Sequence, residues 1–526
     1  MFIRTKTFKN KDGSQRAYVQ IVESIRTQGK IRQKVIANIG RMEDATHEKI
    51  ERLVDSLEKF IGREKVALQD ERLMVRQAKE WGVDLIFRNL WEKLGIDKIL
   101  KQFIKKAETE IPIEEAIYAM ILNRISDPLS KRGTSDWISE VYRSGFEELE
   151  LHHFYRALDF LIQHKDEIEQ LLFSKAVDVL SLKLDIVFWD TTSVYLEGNS
   201  YEGIAEYGYS KDHRPDKVQV VVGILMTGEG IPVAHEIYPG NISDKKTFTS
   251  IIKKVRERFS LRRVIFVADR GMVSTEILKE LEKEKIEYIV GIRMRKMKLT
   301  EQVLRRAGAY RGVADNLRVK EVHYLGDRYI VCFNPEEANR EKQVRQQLVE
   351  NLEEVLHQRG VKSLIGNSLY KRFLKMKTAS AEVDYDKLRT EEKYDGKYVL
   401  KTNSNLPASD AALAYKQLWR IEQAFKELKT TLEIRPIYHW KDRRIKAHIF
   451  ICFLALLLEF TFYKSMKDAG IKQDYIYLMR DLKKLKAVEI ELDGNVYLCR
   501  NELVGRAYDV FKALGIRPPN HISLLQ

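Results

Sequence analysis

The sequence predicts a multi-domain α/β protein, and three observations support this prediction. First, 526 residues exceed what one compact core usually holds and suggest three or four domains. Second, apolar residues at three- and four-residue spacing before residue 180 give way to short continuous apolar runs after residue 184, as expected where helices are followed by buried strands. Third, 44% of the residues are hydrophobic and 32% are charged, a composition that supports large cores and excludes a disordered chain.

Charge, cysteine content and apolar runs narrow the function classes. Lys and Arg number 91 against 77 Asp and Glu, a net charge of +14 that favours a polyanionic partner, nucleic acid first. The three cysteines have neither metal-ligand nor disulfide-framework spacing, so we expect a reduced, cytoplasmic, nucleoid-associated protein. The amino-terminal sequence has no signal-peptide pattern, and the apolar run Ile449 to Leu458 is half a bilayer span. We therefore expect a core helix there and no membrane partner.

The first two regions differ in period. Residues 1–45 alternate in β-rich runs around the turn-like sequence TQGK, which predicts a small β-hairpin region. Its ten Lys and Arg against four Asp and Glu fit either a solvated charged sheet or a surface that contacts the DNA backbone. Residues 46–180 have helical periodicity, and we interpret them as a helical DNA-binding region in which no residue proves a helix-turn-helix.

The remaining residues predict a mixed α/β core that is interrupted once. Residues 181–294 form its first part, with strands at 184–190, 218–226, 230–238, 262–269 and 288–294 and with helices from about Ser243 and Ser274. Residues 295–407 read as an inserted subdomain with strand candidates and a polar helix at 336–358. Residues 408–465 complete the core with a helix from Ser409 to Leu432, and residues 466–526 form a basic carboxyl-terminal region.

Two aspartates and one glutamate are the candidate chemical groups. Asp190 and Asp269 are each predicted at the carboxyl end of a core strand, where open α/β sheets place ligand sites, although either one alone is equally compatible with a cap or a solvated turn. On an ideal helix Glu422 borders the apolar stripe and points in nearly the same direction as Tyr415 and Lys429. Three clustered carboxylates repel one another unless cations neutralise them. We therefore expect two Mg²⁺ ions, with Mn²⁺ as a substitute, and phosphodiester chemistry.

These residues resemble the DDE transposases of bacterial insertion sequences. The resemblance rests on FWDTTSVYLEG around Asp190, FVADRGMVS around Asp269 and YKQLWRIEQAFKELK around Glu422, with 79 residues between the first two carboxylates and 153 between the last two. It covers roughly residues 184–460, and it implies an RNase H-like catalytic domain with a β-rich insertion. Tyr415, Glu422 and Lys429 match the signature of one subgroup, whereas Leu418 stands where that subgroup has Arg.

The resemblance also implies substrates and partners. The protein would bind double-stranded DNA, both element ends and target, as a homodimer in the synaptic complex, and Tyr415, Lys426 and Lys429 would contact the element end. For Lys426 and Lys429 a solvated helix face is the alternative. Basic residues interleaved with aromatics add further candidate DNA contacts: Lys211, Arg214, Arg435, Arg443 and Arg444.

Several neighbouring residues receive plainer interpretations. Trp419 is expected in the core rather than as a base-stacking platform, and Asp212 and Asp216 are expected to be loop charges. A structural role is favoured for His213 and His235 over proton transfer or metal binding. A DNA nuclease that never joins strands and a catalytically inert DNA-binding regulator are the alternative functions.

Overall fold

The computed structural model describes residues 2–9, 15–27, 30–42, 73–182, 185–198, 203–243, 265–269, 274–296, 298–359, 372–376, 381–492 and 494–525, with a few isolated positions between these ranges. The strands are β1 Phe2–Lys9, β2 Gln15–Thr27, β3 Lys30–Arg41, β4 Leu73–Glu80, β5 Ile186–Tyr195, β6 Gln219–Thr227, β7 Pro232–Pro239, β8 Ile265–Ala268, β9 Glu287–Gly291, β10 Arg311–Ala314, β11 Leu317–Tyr324, β12 Asp327–Phe333, β13 Leu374–Met376, β14 Ala381–Val383, β15 Lys397–Thr402, β16 Lys486–Leu492, β17 Asn495–Arg500 and β18 Ile522–Leu524. The α-helices are α1 Gly82–Lys93, α2 Ile96–Lys106, α3 Ile113–Ser126, α4 Lys131–Trp137, α5 Leu151–Gln163, α6 Lys165–Val179, α7 Thr275–Lys283, α8 Lys298–Arg305, α9 Pro335–Arg359, α10 Tyr385–Glu392, α11 Ala408–Lys416, α12 Trp419–Thr430, α13 Asp442–Asp468, α14 Tyr475–Lys483 and α15 Ala507–Ala513.

Two compact units divide the chain. The first holds residues 1–76 and 490–497, and the second holds residues 77–489 and 498–525. In the first unit, β1, β2 and β3 form an antiparallel sheet in that order, which confirms the predicted hairpin sheet. The turn residues Gln28 and Gly29 lie outside the described residues.

The predicted helical region is confirmed between residues 82 and 179, where six α-helices pack around a common apolar core. Residues 73–80 contradict the prediction because they form β4, which pairs with β16 near the carboxyl end of the chain. In the second unit, the Lys486 ammonium lies 3.0 Å from the Glu80 carboxylate. Residues 74–80 are exposed or half-buried, so the strand has no buried face whose two-residue period would distinguish it from a helix. Most of residues 46–72 lie outside the described residues.

A nine-stranded mixed sheet forms the centre of the second unit. Its order is β10-β11-β12-β15-β9-β8-β5-β6-β7. The β5–β8 and β8–β9 pairs are parallel, and the other neighbours are antiparallel. Strands β10, β11, β12 and β15 come from the predicted insertion and continue the sheet from β9 outward. The predicted α/β class is thus confirmed as a mixed α/β fold, with further small sheets such as the β13–β14 pair.

Asp190 lies inside β5, not at its end as the sequence predicted. The strand continues to Tyr195 because residues 191–194, three of which are β-branched, pair with β6. The preceding residue, Trp189, is fully buried, and a Cβ on Gly223 of β6 would lie 2.2 Å from its indole ring. The absence of a side chain at Gly223 therefore lets the Trp189 ring pack against β6. This packing holds β5 in position next to Asp190.

Helix α13 is long and apolar enough to span a membrane by length and composition, but 89% of its most apolar window is buried inside the protein. It packs against the helices α3 and α5 and against strand β7. This placement agrees with the predicted core helix at Ile449 to Leu458.

The predicted single helix from Ser409 to Leu432 is wrong in its continuity. Two helices, α11 and α12, replace it, and Pro407 rather than Ser409 precedes the first turn. Around Gln417 and Leu418 the backbone bonds tighten to three-residue spacing, from Gln417 N to Ala414 O and from Leu418 N to Tyr415 O. This turn changes the direction of Glu422 relative to Tyr415 from that expected on an ideal helix.

Candidate active site on the central sheet

The two candidate aspartates share one row of the sheet. In the parallel β5–β8 pair, Phe188 is opposite Val267, and two residues further on the same register places Asp190 opposite Asp269, which directly follows β8. Neighbouring strands lie about 4.8 Å apart, and residues opposite each other project from the same face. The sheet therefore brings the two carboxylates side by side. Residues 270–273 of the Asp269 motif lie outside the described residues.

Tyr415 links helix α11 to this row. Its hydroxyl donates a hydrogen bond to Asp269 Oδ1 over 2.9 Å. Its ring stacks on that of Tyr398 of β15, with 5.6 Å between the ring centroids. A Cβ on Gly291, the last residue of β9, would lie 2.3 Å from the Tyr415 hydroxyl. Gly291 and Tyr398 together define the position from which Tyr415 orients the Asp269 carboxylate.

Replacing Gly291 with alanine is expected to lower DNA cleavage about as much as Tyr415→Phe, by roughly 10-fold, because either change removes the hydrogen bond to a charged carboxylate. The measurement is the cleavage rate of both single variants and of the double variant. Since both act on one contact, the double variant should be no slower than the slower single one. Fully additive losses would show that Gly291 acts elsewhere.

Glu422 lies in the first turn of α12 and is exposed to solvent. Helix α12 packs against β5, whereas α11 packs against β8 and β9, so both helices cover the part of the sheet that carries the aspartates. Among the described residues, no group of three or more His, Cys, Asp or Glu is close enough to hold a metal ion. The sheet pairs the two aspartates, and the approach of Glu422 to them stays a prediction.

Lys211 lies beside Asp190. Its ammonium nitrogen is 3.9 Å from Asp190 Oδ1, and it donates to the Thr191 carbonyl over 2.6 Å and to Thr191 Oγ1 over 3.2 Å. The Lys211 backbone N–H donates to Ser193 Oγ over 2.8 Å. Three residues of β5, Asp190, Thr191 and Ser193, therefore fix the loop that carries this lysine.

Asp212 corrects one sequence prediction. Its side chain is only 6% exposed and is not a solvated loop charge. Lys429 donates to its Oδ1 over 2.7 Å, and the Arg435 Nε lies 3.1 Å from its Oδ2. Burial lowers the pKa of Lys429, and Arg435 and Lys211 add to this, while Asp212 opposes it. Asp212 thus pairs with two cations, and Lys211, which contacts Asp190 instead, leaves positive charge next to that carboxylate.

The other residues predicted to contact DNA, Lys426, Arg214, Arg443 and Arg444, all belong to the second unit. Lys426 is exposed on α12. Arg214 pairs with Asp216 over 2.8 Å, so Asp216 is the exposed loop charge that the sequence predicted. Arg443 and Arg444, at the start of α13, both contact Asp159 of α5, at 3.1 Å and 3.5 Å. These two arginines therefore have a protein partner, and their contact with DNA stays a prediction.

The position of Trp419 differs from the sequence interpretation. Trp419 is 54% exposed, so its predicted place in the core is wrong. It lines a cavity of about 530 Å³ together with residues of α13 and α14. Arg420 turns away from the aspartates and donates to the Gly228 carbonyl in the β6–β7 turn, so it does not replace the family arginine that is missing at Leu418.

His235 is structural, as the sequence analysis favoured. It is fully buried on β7, its ring lies 4.6 Å from the Phe453 ring, and its Nδ1 lies 2.6 Å from Glu169 Oε1. Burial lowers the pKa of His235, so the ring is neutral near pH 7. His213 is an exposed loop residue with a positive φ of 55°.

The donor set fits a hard divalent cation. Two carboxylates on one face of the sheet supply oxygen ligands, and such a pair of like charges is stabilised by a cation. The Lys211 ammonium already lies at this position in the structure, which supports the interpretation that the place suits positive charge. Asp190 and Asp269 are therefore the residues that would hold Mg²⁺, together with Glu422 if it approaches them.

Some residues of the site escaped the sequence analysis. The acceptor role of Asp212, the packing of Gly291 and Tyr398 on Tyr415, and the proximity of Lys211 to Asp190 all depend on contacts between distant segments. The sequence YSKDHR places a lysine and an aspartate next to each other, but adjacent charges alone do not say which of them is buried.

Two protein-family models match separate parts of the chain. Residues 181–458, more than half of the chain, match the family model described as "Transposase DDE domain". Residues 3–70 match the model described as "IS1634 family transposase, N-terminal domain". No match was found among the curated proteins.

One solved structure similar to the chain is described as "Mos1 transposase paired-end complex with left transposon end". It has 14% sequence identity and a TM-score of 0.15, and the similarity covers 46% of this chain and 67% of that one. The family models, by contrast, match the segments that carry Asp190, Asp269 and Glu422 as well as the amino-terminal sheet. The chain therefore belongs to the DDE transposases, and its amino-terminal residues carry the N-terminal domain of the IS1634 family.

Proposed function

We propose that this transposase binds the terminal inverted repeats of its insertion sequence, cleaves their 3′ ends and joins those ends to target DNA. Asp190, Asp269 and Glu422 act as the metal-binding carboxylates, on a domain that we infer to be RNase H-like. The element ends are held together by a homodimer. These statements go beyond family membership. Sheet register supports the roles of Asp190 and Asp269, whereas the resemblance to the family supports Glu422, end joining and the homodimer.

The register of β5 and β8 is the observation that carries the proposal. It supports two carboxylates acting together, because Asp190 and Asp269 lie opposite each other on the face that α11 and α12 cover. The hydrogen bond from Tyr415 to Asp269 supports a fixed orientation for one of them. A packing role alone would not require two neighbouring acidic side chains beside a buried sheet.

Around this pair, the chain's own residues bind and orient the DNA. Lys211, Lys429 and Arg435 converge near Asp212, and a phosphate that approaches this cluster gains charge-assisted hydrogen bonds from ammonium and guanidinium groups. Tyr415 holds Asp269, and Lys426 extends the positive surface along α12. Bound Mg²⁺ supplies the charge that activates the attacking oxygen and stabilises the leaving one.

A strand-transfer assay tests the proposal. Purified protein is incubated with Mg²⁺, a labelled duplex that carries the inverted repeat flanking its gene, and a circular target plasmid. We expect 3′-end cleavage and covalent joining of the labelled end to the plasmid. Cleavage without joining would instead favour a nuclease, and end binding without any metal-dependent turnover would favour an inert regulator.

Assembly is tested separately. Mixing two repeat duplexes of different length with the protein should give a complex that contains both, if a homodimer pairs the ends. Complexes that contain only one duplex at every protein concentration would contradict the proposed synapsis.

A further inference from the structure

Lys211 lies next to the two candidate aspartates on the central sheet. Its ammonium is 3.9 Å from the Asp190 carboxylate and is held there by the Thr191 carbonyl, at 2.6 Å, and the Thr191 hydroxyl, at 3.2 Å. The side chains of Lys211 and Asp190 are 33% and 26% exposed, so solvent and ligands reach both. The positively charged Lys211 side chain thus lies beside Asp190, the carboxylate that is proposed to bind a divalent metal ion.

The nearby cations are bound differently. Asp212 holds Lys429 and Arg435 and is itself almost completely buried. Lys211, the preceding residue, points instead toward β5 and contacts Asp190. Its charge offsets the repulsion between the carboxylates of Asp190 and Asp269, which lie side by side on one face of the β5–β8 pair.

We propose that Lys211 competes with the divalent metal ion for Asp190 and that bound DNA removes this competition. A DNA phosphate offers the Lys211 ammonium a stronger, fully charged acceptor than the Thr191 carbonyl. When the ammonium moves to that phosphate, Asp190 is released to bind metal. Metal binding and DNA binding are then coupled through one side chain, a coupling that is reciprocal. This inference rests on the proposed function, because it takes Asp190 as a metal ligand.

The size of the effect follows from the geometry. A partly exposed pair with 3.9 Å between its charged atoms is weak, so losing it should strengthen metal binding by only about three- to tenfold. The readout must therefore be metal affinity itself, not the rate of cleavage, since a lysine that also contacts DNA would lower the rate for a different reason.

The first experiment measures Mn²⁺ affinity of the full-length protein without DNA, from the electron paramagnetic resonance signal of free Mn²⁺. Lys211→Met should bind Mn²⁺ about three- to tenfold more tightly than the unaltered protein, and Lys211→Arg should stay close to it. The matched control is Lys217→Met, which removes the same charge from the same loop but from a pair with Glu197. Equal or weaker Mn²⁺ binding by Lys211→Met, with native circular dichroism, would overturn the inference.

The second experiment repeats the titration with a saturating linear duplex that carries the sequence flanking the gene. The unaltered protein should gain Mn²⁺ affinity on adding DNA, and Lys211→Met should gain about three- to tenfold less. Equal gains in both proteins would contradict the coupling.

An Asp190→Asn variant distinguishes the proposed metal-binding role of Asp190 from the proposed competition by Lys211. If this variant binds Mn²⁺ as well as the unaltered protein, Asp190 is not a metal ligand and the proposed function is itself at fault. If Asp190→Asn loses Mn²⁺ binding while Lys211→Met changes nothing, the metal site stands and only the competition by Lys211 is rejected.

Discussion

Replacing Asp190 or Asp269 with asparagine is expected to reduce Mg²⁺-dependent DNA cleavage by about 1000-fold or more. Each substitution removes a negative charge from the pair of carboxylates that β5 and β8 place opposite each other. Metal-based stabilisation of phosphodiester cleavage contributes several kcal/mol, which corresponds to a loss of this size. The measurement is the single-turnover cleavage rate on a labelled element end. Glu422→Gln should give a loss of the same order.

The same variants are expected to bind the element end about as well as the unaltered protein, because the cations around Asp212 remain in place. Asp315→Asn is the matched control, since it removes the same charge from an exposed turn between β10 and β11. Cleavage by Asp190→Asn at a rate within about 10-fold of the control would reject Asp190 as a metal ligand.

The second large effect is on stability and concerns Glu169 of α6. This fully buried carboxylate accepts hydrogen bonds from Lys165 over 2.8 Å and from the His235 backbone N–H over 3.0 Å, and its contact with the His235 ring is 2.6 Å. Glu169→Gln removes the carboxylate nearest the largely buried Lys165 ammonium and leaves it with the exposed Asp166 carboxylate, 3.6 Å away, as its charged partner. We expect the free energy of unfolding to fall by about 3–5 kcal/mol. Urea-induced unfolding measures it.

The effect of Glu169 should depend on pH in the acid range. Burial alone would raise the pKa of Glu169, but Lys165 and then His235 outweigh burial and lower the pKa from its ordinary value of 4.5 to about 2. Because the folded-state pKa is below the unfolded one, the contribution is fully present above about pH 4.5 and is lost as the pH falls toward about 2. The stability difference between Glu169→Gln and the unaltered protein should therefore shrink across this window.

The control for Glu169 is Asp178→Asn, an exposed carboxylate on the same helix, which should change stability by less than about 0.5 kcal/mol. A Glu169→Gln variant as stable as this control would show that the buried network contributes little. A stability difference that stays constant from pH 7 to pH 3 would contradict the direction of the Glu169 pKa shift.

Local patterns predicted most of the elements that carry the site. The continuous apolar runs predicted β5, β6, β7, β8 and β9 to within a few residues at most of their ends, because most positions in strands buried on both faces are apolar. The serine before α7 accepts a hydrogen bond from the Ile277 backbone N–H, as its N-cap position requires. Where the local signal was incomplete, at the end of β5 and at the turn between α11 and α12, the predicted boundaries were wrong.

Burial of individual charged and aromatic side chains was less predictable. Asp212 and Asp216 lie in one short loop and have the same chemistry, yet only Asp212 is buried, because Lys429 and Arg435 come to it from another part of the chain. Trp419 is the reverse case, an aromatic residue that was predicted in the core and remains half exposed beside a cavity. Sequence periodicity describes one helix or strand at a time and contains no information on its neighbour.

The sequence by itself determined the family, the acidic residues that are the candidates for its chemistry and most of the strands and helices on which they lie, because these depend on short motifs and local periodicity. Only the tertiary structure decided that Asp190 stands opposite Asp269, that Tyr415 holds Asp269 and that Lys211 lies beside Asp190. These contacts join segments far apart in the chain. They follow from sheet register and side-chain packing, which no stretch of sequence specifies alone.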